Sequence, residues 1–108
     1  MLKVLFVCSQ NRLRSPTAEQ RFADWPGVAT ASAGTDSDAS VPVGPDLLQW
    51  ADLICVMEPI HRKKLSAKFR PQLASKNIVC LHIPDEYEFM DPVLIELLEQ
   101  SVIRYLPA

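Results

Sequence analysis

The stretch that decides the fold is Cys8-Ser-Gln-Asn-Arg-Leu-Arg-Ser-Pro16, which directly follows the apolar run Leu2–Val7. Five residues separate Cys8 from Arg14, and Ser15-Pro16, a pair typical of a helix start, comes next. This order indicates a buried strand that ends near the cysteine, a tight loop, and a helix whose positive end faces the loop. The backbone N–H groups of such a loop point inward and form a cradle for a tetrahedral oxyanion.

Two side chains of this loop are candidate catalytic residues. The planar guanidinium of Arg14 can hold two phosphoryl oxygens at once. The helix end, the loop amides and this guanidinium together favour a thiolate at Cys8, and a thiolate beside an oxyanion site is a nucleophile for phosphorus. We therefore predict that the phosphate-binding residues are those that follow the cysteine: Ser9, Gln10, Asn11, Arg12, Leu13, Arg14 and Ser15.

The composition predicts one compact domain over residues 1–108. Of the 108 residues, 48% are hydrophobic, enough for a real core, and the net charge of −2 argues against a nucleic-acid partner. The three cysteines lack the number and spacing of a disulfide scaffold or a zinc site, so we expect neither a metal nor a cofactor. With no secretory pattern and no apolar stretch long enough to span a bilayer, we expect a cytoplasmic protein without a membrane partner.

Apolar, strand-like runs alternate with helical patterns along the chain. We predict four buried strands: Leu2–Val7, Val28–Ala33, Leu53–Met57 and Ile78–Ile83. Alternating strands and helices imply right-handed crossovers and a parallel sheet that is covered on both faces. The predicted fold class is therefore α/β, a three-layer sandwich with a four-stranded parallel sheet and a phosphate-binding loop between the first strand and the first helix. Ligands of such sheets bind at the carboxyl ends of the strands, where the Cys8 loop lies.

The helices are predicted from their caps and their apolar spacing. Ser15 is a natural N-cap followed by Pro16, and the first helix should run to about Asp24. A short helical stretch is expected around Leu47–Trp50. A longer helix presents one apolar stripe, made of Ile60, Leu65 and Phe69. The last helix should begin at Asp91-Pro92 and turn these residues inward: Leu94, Leu97, Leu98, Val102 and Tyr105.

The loop is similar to that of a known family. A Cys-x5-Arg-Ser loop near the N-terminus, with Asn11 inside it, resembles the low-molecular-weight protein tyrosine phosphatases. Three further stretches resemble family segments, namely its second strand, its third strand and its acid loop: Ser32–Thr35, Ala51–Glu58 and Ile83–Asp91. The resemblance implies a phosphomonoesterase that forms a cysteinyl-phosphate intermediate and acts on a phosphorylated protein (phosphotyrosine) or a small phosphomonoester. The chain is short between Thr35 and Leu47, where the family carries a further helix and loop.

The general acid that protonates the departing oxygen has two candidates. Asp85 lies two residues beyond the predicted fourth strand, where a loop can reach over the site. Asp91 precedes a long apolar-periodic stretch, so Asp91-Pro92 is typical of an N-cap with a first-turn proline. The resemblance implies the same choice, because the family segment Asp-Pro-Tyr matches Asp85-Glu86-Tyr87, with Glu86 in place of the proline. We predict that Asp85 is the acid.

Three polar residues are expected to support the loop. Asn11 tolerates left-handed backbone geometry and can bond neighbouring backbone, which suits a brace within the loop. The resemblance implies that Ser32 is its partner. It also implies that the Ser15 hydroxyl donates to the sulfur of Cys8, in addition to its expected role as N-cap.

The mouth of the site departs from the family pattern. Gln10 stands where the family has a glycine, Arg12 where it has a small apolar residue, and Leu13 where it has a second cysteine. Arg12 adds positive charge at the rim, which favours a substrate that is more anionic than phosphotyrosine. Tyr87 is either a rim aromatic for an aryl substrate or an ordinary half-exposed loop residue. Without a second cysteine in the loop, Cys8 is open to irreversible oxidation.

The sequence is also compatible with two other functions. An arsenate reductase could use the same loop, but it needs further cysteines on mobile segments, whereas Cys55 and Cys80 lie in strand-like runs and are expected to be inert core residues. A weakly active phosphate-binding regulatory module would fit the unusual residues Gln10, Arg12 and Glu86.

Overall fold

Four parallel strands form one sheet in the order β2-β1-β3-β4 in the computed structural model, which describes residues 1–108. The strands are β1 (Leu2–Cys8), β2 (Val28–Gly34), β3 (Leu53–Val56) and β4 (Asn77–Cys80). The register pairs Leu2 with Val28 and Val4 with Leu53, so the central strand β1 has a partner on each side. The predicted parallel sheet is confirmed, with three strands within one residue of the predicted ends.

The fourth strand ends earlier than predicted, at Cys80 instead of Ile83. His82 has a φ of 55°, a left-handed conformation that breaks the extended backbone of a strand. The chain nevertheless stays beside β3, because the N–H of Leu81 donates to Val56 at 2.9 Å and that of Ile83 donates to Met57 at 2.8 Å. This irregular extension carries the following residues to the carboxyl edge of the sheet.

Helices cover both faces of the sheet and give the predicted three layers. They are α1 (Arg14–Phe22), α2 (Pro45–Trp50), α3 (Pro59–Leu73) and α4 (Pro92–Val102), followed by a 3₁₀ turn, Ile103–Tyr105. The helices α1 and α4 bury Phe22 and Leu98 against one face of β1, around Phe6. On the other face, α2 and α3 bury Leu48 and Leu65. No helix combines the length and the hydropathy that a membrane crossing requires.

The first helix begins differently from the prediction. Leu13 is its N-cap residue and Arg14 its first helical residue, so the assignment of Ser15 as N-cap is wrong. The helix begins two residues earlier than the Ser-Pro signal suggested, and the Ser15 hydroxyl turns back into the loop instead of capping the helix. The helix ends at Phe22, two residues before the predicted Asp24. By contrast Asp91 caps α4 as predicted, since its Oδ1 accepts a hydrogen bond of 2.8 Å from the N–H of Val93.

The buried face of α3 also differs from the prediction. Ile60 is 47% exposed, whereas His61 is fully buried. His61, Leu65 and Phe69 follow one another at four-residue spacing, the spacing of one helix face, and Ile60 falls outside it. The imidazole turns inward because its Nδ1 accepts a hydrogen bond of 3.0 Å from the N–H of Glu58, the N-cap residue of α3.

Candidate active site

The phosphate-binding loop, residues 9–13, joins β1 to α1 at the carboxyl edge of the sheet. Its carbonyl groups face outward, where those of Ser9 and Gln10 accept hydrogen bonds of 3.0 Å from the N–H groups of Asp36 and Ser40. None of the five N–H groups of the loop donates to another backbone group. Asn11 has a φ of 55°, and consecutive N–H groups around such a left-handed residue converge on one point. The loop is therefore a nest of donors, which suits an oxyanion.

Gly34, at the end of β2, lets the loop approach the sheet this closely. A Cβ atom at this position would lie 2.5 Å from the carbonyl oxygen of Ser9 and 2.6 Å from the Cβ of Ala39. Any side chain would displace the backbone of the loop. The sequence signal for this contact is a glycine at the end of a buried strand, which often marks a close backbone approach.

Cys8 lies at the base of the nest and is 3% exposed. Its Sγ is 2.9 Å from the Oγ of Ser15. Asn11 donates through Nδ2 to both Ser15 Oγ and Ser32 Oγ, each at 2.9 Å. Because the Ser15 oxygen accepts from Asn11, its hydroxyl hydrogen is available to the sulfur or to the carbonyl oxygen of Ala33, which is farther away at 3.4 Å. The structure brings together the three residues that the sequence grouped as loop support.

Arg14 is 3% exposed and is held from behind. Its Nη1 donates to the carbonyl oxygen of Ile83 at 2.8 Å and forms an ion pair with Glu58 Oε1 at 2.5 Å. A guanidinium carries five N–H groups, so several remain available to a ligand. Glu58 fixes the plane of the guanidinium and offsets part of its charge.

A cavity of about 230 Å³ opens above the sulfur. Its lining consists of Cys8, Ser9, Gln10, Arg12, Leu13, Arg14 and Asp85. The Oδ1 of Asp85 lies 3.7 Å from Arg14 Nε, and the Asp85 side chain is 63% exposed. Of the two aspartates considered as acids, Asp85 lies at this cavity and Asp91 at the start of α4.

At the rim of the cavity, polar side chains contact the segment that follows β2. Gln10 donates through Nε2 to the carboxylates of Asp36 at 2.5 Å and Asp38 at 3.4 Å, which fastens the loop to the segment that follows β2. Arg12 is exposed and reaches the carbonyl oxygen of Asp38 at 3.4 Å. Tyr87 is half-buried against the core on the α1–α4 side, and it is not among the residues that line the cavity.

His61 is a site residue that sequence reasoning missed. Its Nε2 lies 2.9 Å from the Oγ of Ser9, so the imidazole connects the phosphate-binding loop to α3. Burial lowers the pKa of His61 to about 4, an effect that the positive charges of Arg14 and Lys64 reinforce and that Glu58 and Asp36 oppose. Its signal in the sequence is the four-residue spacing to Leu65, which the more apolar Ile60 obscured.

The other two cysteines lie in the sheet and are separated from Cys8. Cys55 is fully buried, and desolvation raises its pKa to about 12. It pairs with Phe6, two residues before Cys8, so strand geometry puts the two Cα atoms about 8 Å apart, beyond the reach of a disulfide. Cys80 packs with the core on the opposite face of the sheet, around Val7.

Comparison with solved structures agrees with this architecture. The chain superposes on the Wzb tyrosine phosphatase from Escherichia coli K30, in complex with phosphate, with a TM-score of 0.77 and 23% identity over 97% of this chain and 96% of that one. The chain has the fold of the low-molecular-weight protein tyrosine phosphatases. For the enzyme of this type from Streptococcus pyogenes, the TM-score is 0.79 at 17% identity, over 99% of this chain and 95% of that one.

A third structure of the same fold has a different named activity. The YwlE arginine phosphatase from Geobacillus stearothermophilus matches with a TM-score of 0.74 and 21% identity, over 97% of this chain and 90% of that one. The sequence matches no family model and no curated protein. The comparisons thus confirm the resemblance at the level of the fold.

Proposed function

We propose that this protein is a cysteine-dependent phosphomonoesterase of the protein tyrosine phosphatase type. The observation that carries the proposal is the nest of five unpaired N–H groups around the sulfur of Cys8, with the Ser15 hydroxyl 2.9 Å from that sulfur. Inward-pointing amides stabilise the anionic oxygens of a phosphoryl group, and their positions are fixed before the reaction begins. A nucleophile at the base of such a nest is aligned with phosphorus.

The first chemical step is attack by the Cys8 thiolate on phosphorus. A sulfur–phosphorus bond forms, the bond to the leaving oxygen breaks with its electron pair on that oxygen, and Asp85 supplies the proton. The guanidinium of Arg14 and the loop amides stabilise the charge that spreads over the equatorial oxygens. The Ser15 hydroxyl stabilises the thiolate before attack.

The second step is hydrolysis of the cysteinyl-phosphate. The Asp85 carboxylate takes a proton from water as the water oxygen bonds to phosphorus, and the electron pair of the sulfur–phosphorus bond returns to Cys8. This step releases inorganic phosphate and restores the thiolate. The exposure of Asp85 supports this role, because the attacking water must reach its carboxylate from solvent.

The substrate is a phosphomonoester, either a phosphorylated protein (phosphotyrosine) or a small molecule. The neighbouring structures are named as phosphatases of tyrosine or of arginine, so phosphoarginine, a phosphoramidate whose leaving atom is nitrogen, is tested beside the phosphomonoesters. We also propose a reducing compartment such as the cytoplasm, since an unpaired reactive thiol persists there. The distance of Cys55 from Cys8 and the position of Cys80 across the sheet argue against an arsenate reductase.

Turnover of p-nitrophenyl phosphate by the wild-type protein and by Cys8→Ser tests the proposal. We expect the variant to lose turnover and to keep its fold and its affinity for phosphate, because the nest is built from backbone and Arg14. Arsenate-dependent thiol oxidation is assayed in parallel, with phosphotyrosine and phosphoarginine as further substrates. Turnover by Cys8→Ser within a few-fold of wild type would exclude the covalent mechanism. A wild-type protein that binds phosphate without turnover would be a regulatory module.

A further inference from the structure

The Ser9 hydroxyl has one hydrogen-bond partner in the structure, the Nε2 of His61 at 2.9 Å. Ser9 follows the cysteine directly and lines the cavity above the sulfur. Which of the two atoms donates in this bond decides where the hydroxyl hydrogen of Ser9 points. The hydrogen bond that the Nδ1 atom of the same imidazole makes determines which atom donates.

The tautomer of His61 is fixed by the start of α3. Its Nδ1 accepts from the N–H of Glu58 at 3.0 Å, so Nδ1 carries no hydrogen. The pKa of about 4 keeps the ring neutral near pH 7, with Arg14 and Lys64 as the positive and Glu58 and Asp36 as the negative neighbours. A neutral ring with a bare Nδ1 carries its hydrogen on Nε2. His61 is therefore the donor, and Ser9 Oγ accepts.

The hydroxyl hydrogen of Ser9 is left without an acceptor in the protein. The oxyanion that the nest is built to hold would supply one. We propose that Ser9 is a side-chain donor to the bound phosphoryl group and that His61 is the positioning residue that orients it. The proposal rests on the proposed function, because it assigns a donor within the same oxyanion site.

This assignment has a consequence for the two residues. A hydrogen bond to a charged oxygen contributes enough to change binding by about 10-fold, so Ser9→Ala should weaken phosphate binding by about that factor. Ser9→Thr retains the hydroxyl and should recover most of the phosphate affinity that Ser9→Ala loses. His61→Asn can still accept from Glu58 but has no donor near Ser9, whereas the longer His61→Gln places an amide N–H close to the position of Nε2.

The experiment measures the Kd for inorganic phosphate by calorimetry and kcat/KM for p-nitrophenyl phosphate. We expect Ser9→Ala and His61→Asn each to raise Kd and lower kcat/KM by about 10-fold, and His61→Gln to recover most of the loss. In the double variant, His61→Asn should add nothing to Ser9→Ala, because His61 acts through Ser9. Ser37→Ala is the matched control, since Ser37 is exposed and lies outside the lining of the cavity above the sulfur.

Unchanged Kd and kcat/KM in Ser9→Ala would overturn the proposal, as would a full second loss in the double variant. The Ser9 variants decide the matter even if His61→Asn unfolds, which circular dichroism would reveal. Phosphate binding that depends on Ser9 in a protein without turnover would contradict only the proposed function. Cys8-dependent turnover that ignores Ser9 would contradict only this inference.

Discussion

At the scale of single residues, exposure distinguishes Asp85 from its neighbour Arg14. Arg14 is 3% exposed while Asp85 is 63% exposed, although their nearest charged atoms are 3.7 Å apart. The buried guanidinium has a fixed position, as a group that binds oxyanions requires. The exposed carboxylate can gain and lose protons through water, as a group that acts first as acid and then as base requires.

Asp85→Asn should slow the hydrolysis of phosphate esters with poor leaving groups more than that of esters with good leaving groups. Only a poor leaving group needs a proton in the transition state, and Asn cannot supply one. The measurement is log kcat/KM against the pKa of the leaving group, and we expect a steeper slope for the variant.

Asp91→Asn is the control for this prediction, because Asn also caps helices well and the slope should not change. Asp91→Ala should lower the free energy of unfolding by about 1 kcal/mol through loss of the cap. A steeper slope for Asp91→Asn with an unchanged one for Asp85→Asn would reverse the assignment. If neither slope changes, Glu86 is the next residue to substitute.

Peroxide should abolish the proposed phosphatase activity, with poor recovery in dithiothreitol. Leu13 occupies the position of a trapping thiol, and Cys55 lies too far away to form a disulfide without a shift of the strands. Activity is measured after brief oxidation and reduction, with mass spectrometry of the Cys8 peptide. Nearly full recovery, or a Cys8–Cys55 or Cys8–Cys80 disulfide, would show that a partner thiol protects the site.

At the scale of elements, the end of β2 and the phosphate-binding loop are one structural unit. Gly34→Ala should abolish phosphate binding, because the methyl group would lie 2.5 Å from the carbonyl oxygen of Ser9. Gly44 is the matched control, because a Cβ there meets nothing within 4 Å, and Gly44→Ala should leave phosphate binding unchanged. Calorimetry with phosphate and thermal unfolding of both variants check this prediction. Equal phosphate affinities in the two variants would show that the contact is not required.

Sequence patterns predicted the strands better than the contacts around the loop. Leu53–Val56 is buried on both faces, and a continuous apolar run is a direct signature of such a strand. The pairing of Arg14 with Glu58, 44 residues apart, has no local signature. Ser15 illustrates the same limit, because the Ser-Pro pattern predicts a cap, while tertiary contacts with Asn11 and Cys8 decide its actual role.

At the scale of the whole molecule, His61 connects α3 to the phosphate-binding loop through one neutral imidazole. Its pKa is about 4 in the folded protein, against an ordinary value of 6.5 in the unfolded chain. Between these values the unfolded chain binds more protons, so the free energy of unfolding rises with pH in this window. The stabilisation is fully present above pH 6.5 and is lost as the pH falls towards 4.

We expect the titration of His61 alone to lower the free energy of unfolding by about 3 kcal/mol as the pH falls from 6.5 to 4. This value follows because a difference of one pKa unit between the folded and unfolded states corresponds to about 1.4 kcal/mol. His61→Gln removes the titrating group and should flatten the dependence between pH 4 and 6.5. Urea unfolding at several pH values measures it. The same slope in both proteins would mean that other groups set the acid stability.

The outward-facing carbonyls of the phosphate-binding loop also allow ligand binding to be detected at amides outside the cavity. The N–H groups of Thr35, Asp36 and Ser40 donate to Cys8, Ser9 and Gln10, at 2.9, 3.0 and 3.0 Å. An anion held by the inner side of the loop restrains the peptide groups that carry these carbonyls. Deuterium should therefore enter the three amides more slowly in phosphate than in its absence, although they point away from the ligand. Equal exchange rates in both conditions would show that the loop is already rigid without phosphate. Slower exchange in phosphate would let these three amides report whether a candidate substrate occupies the loop.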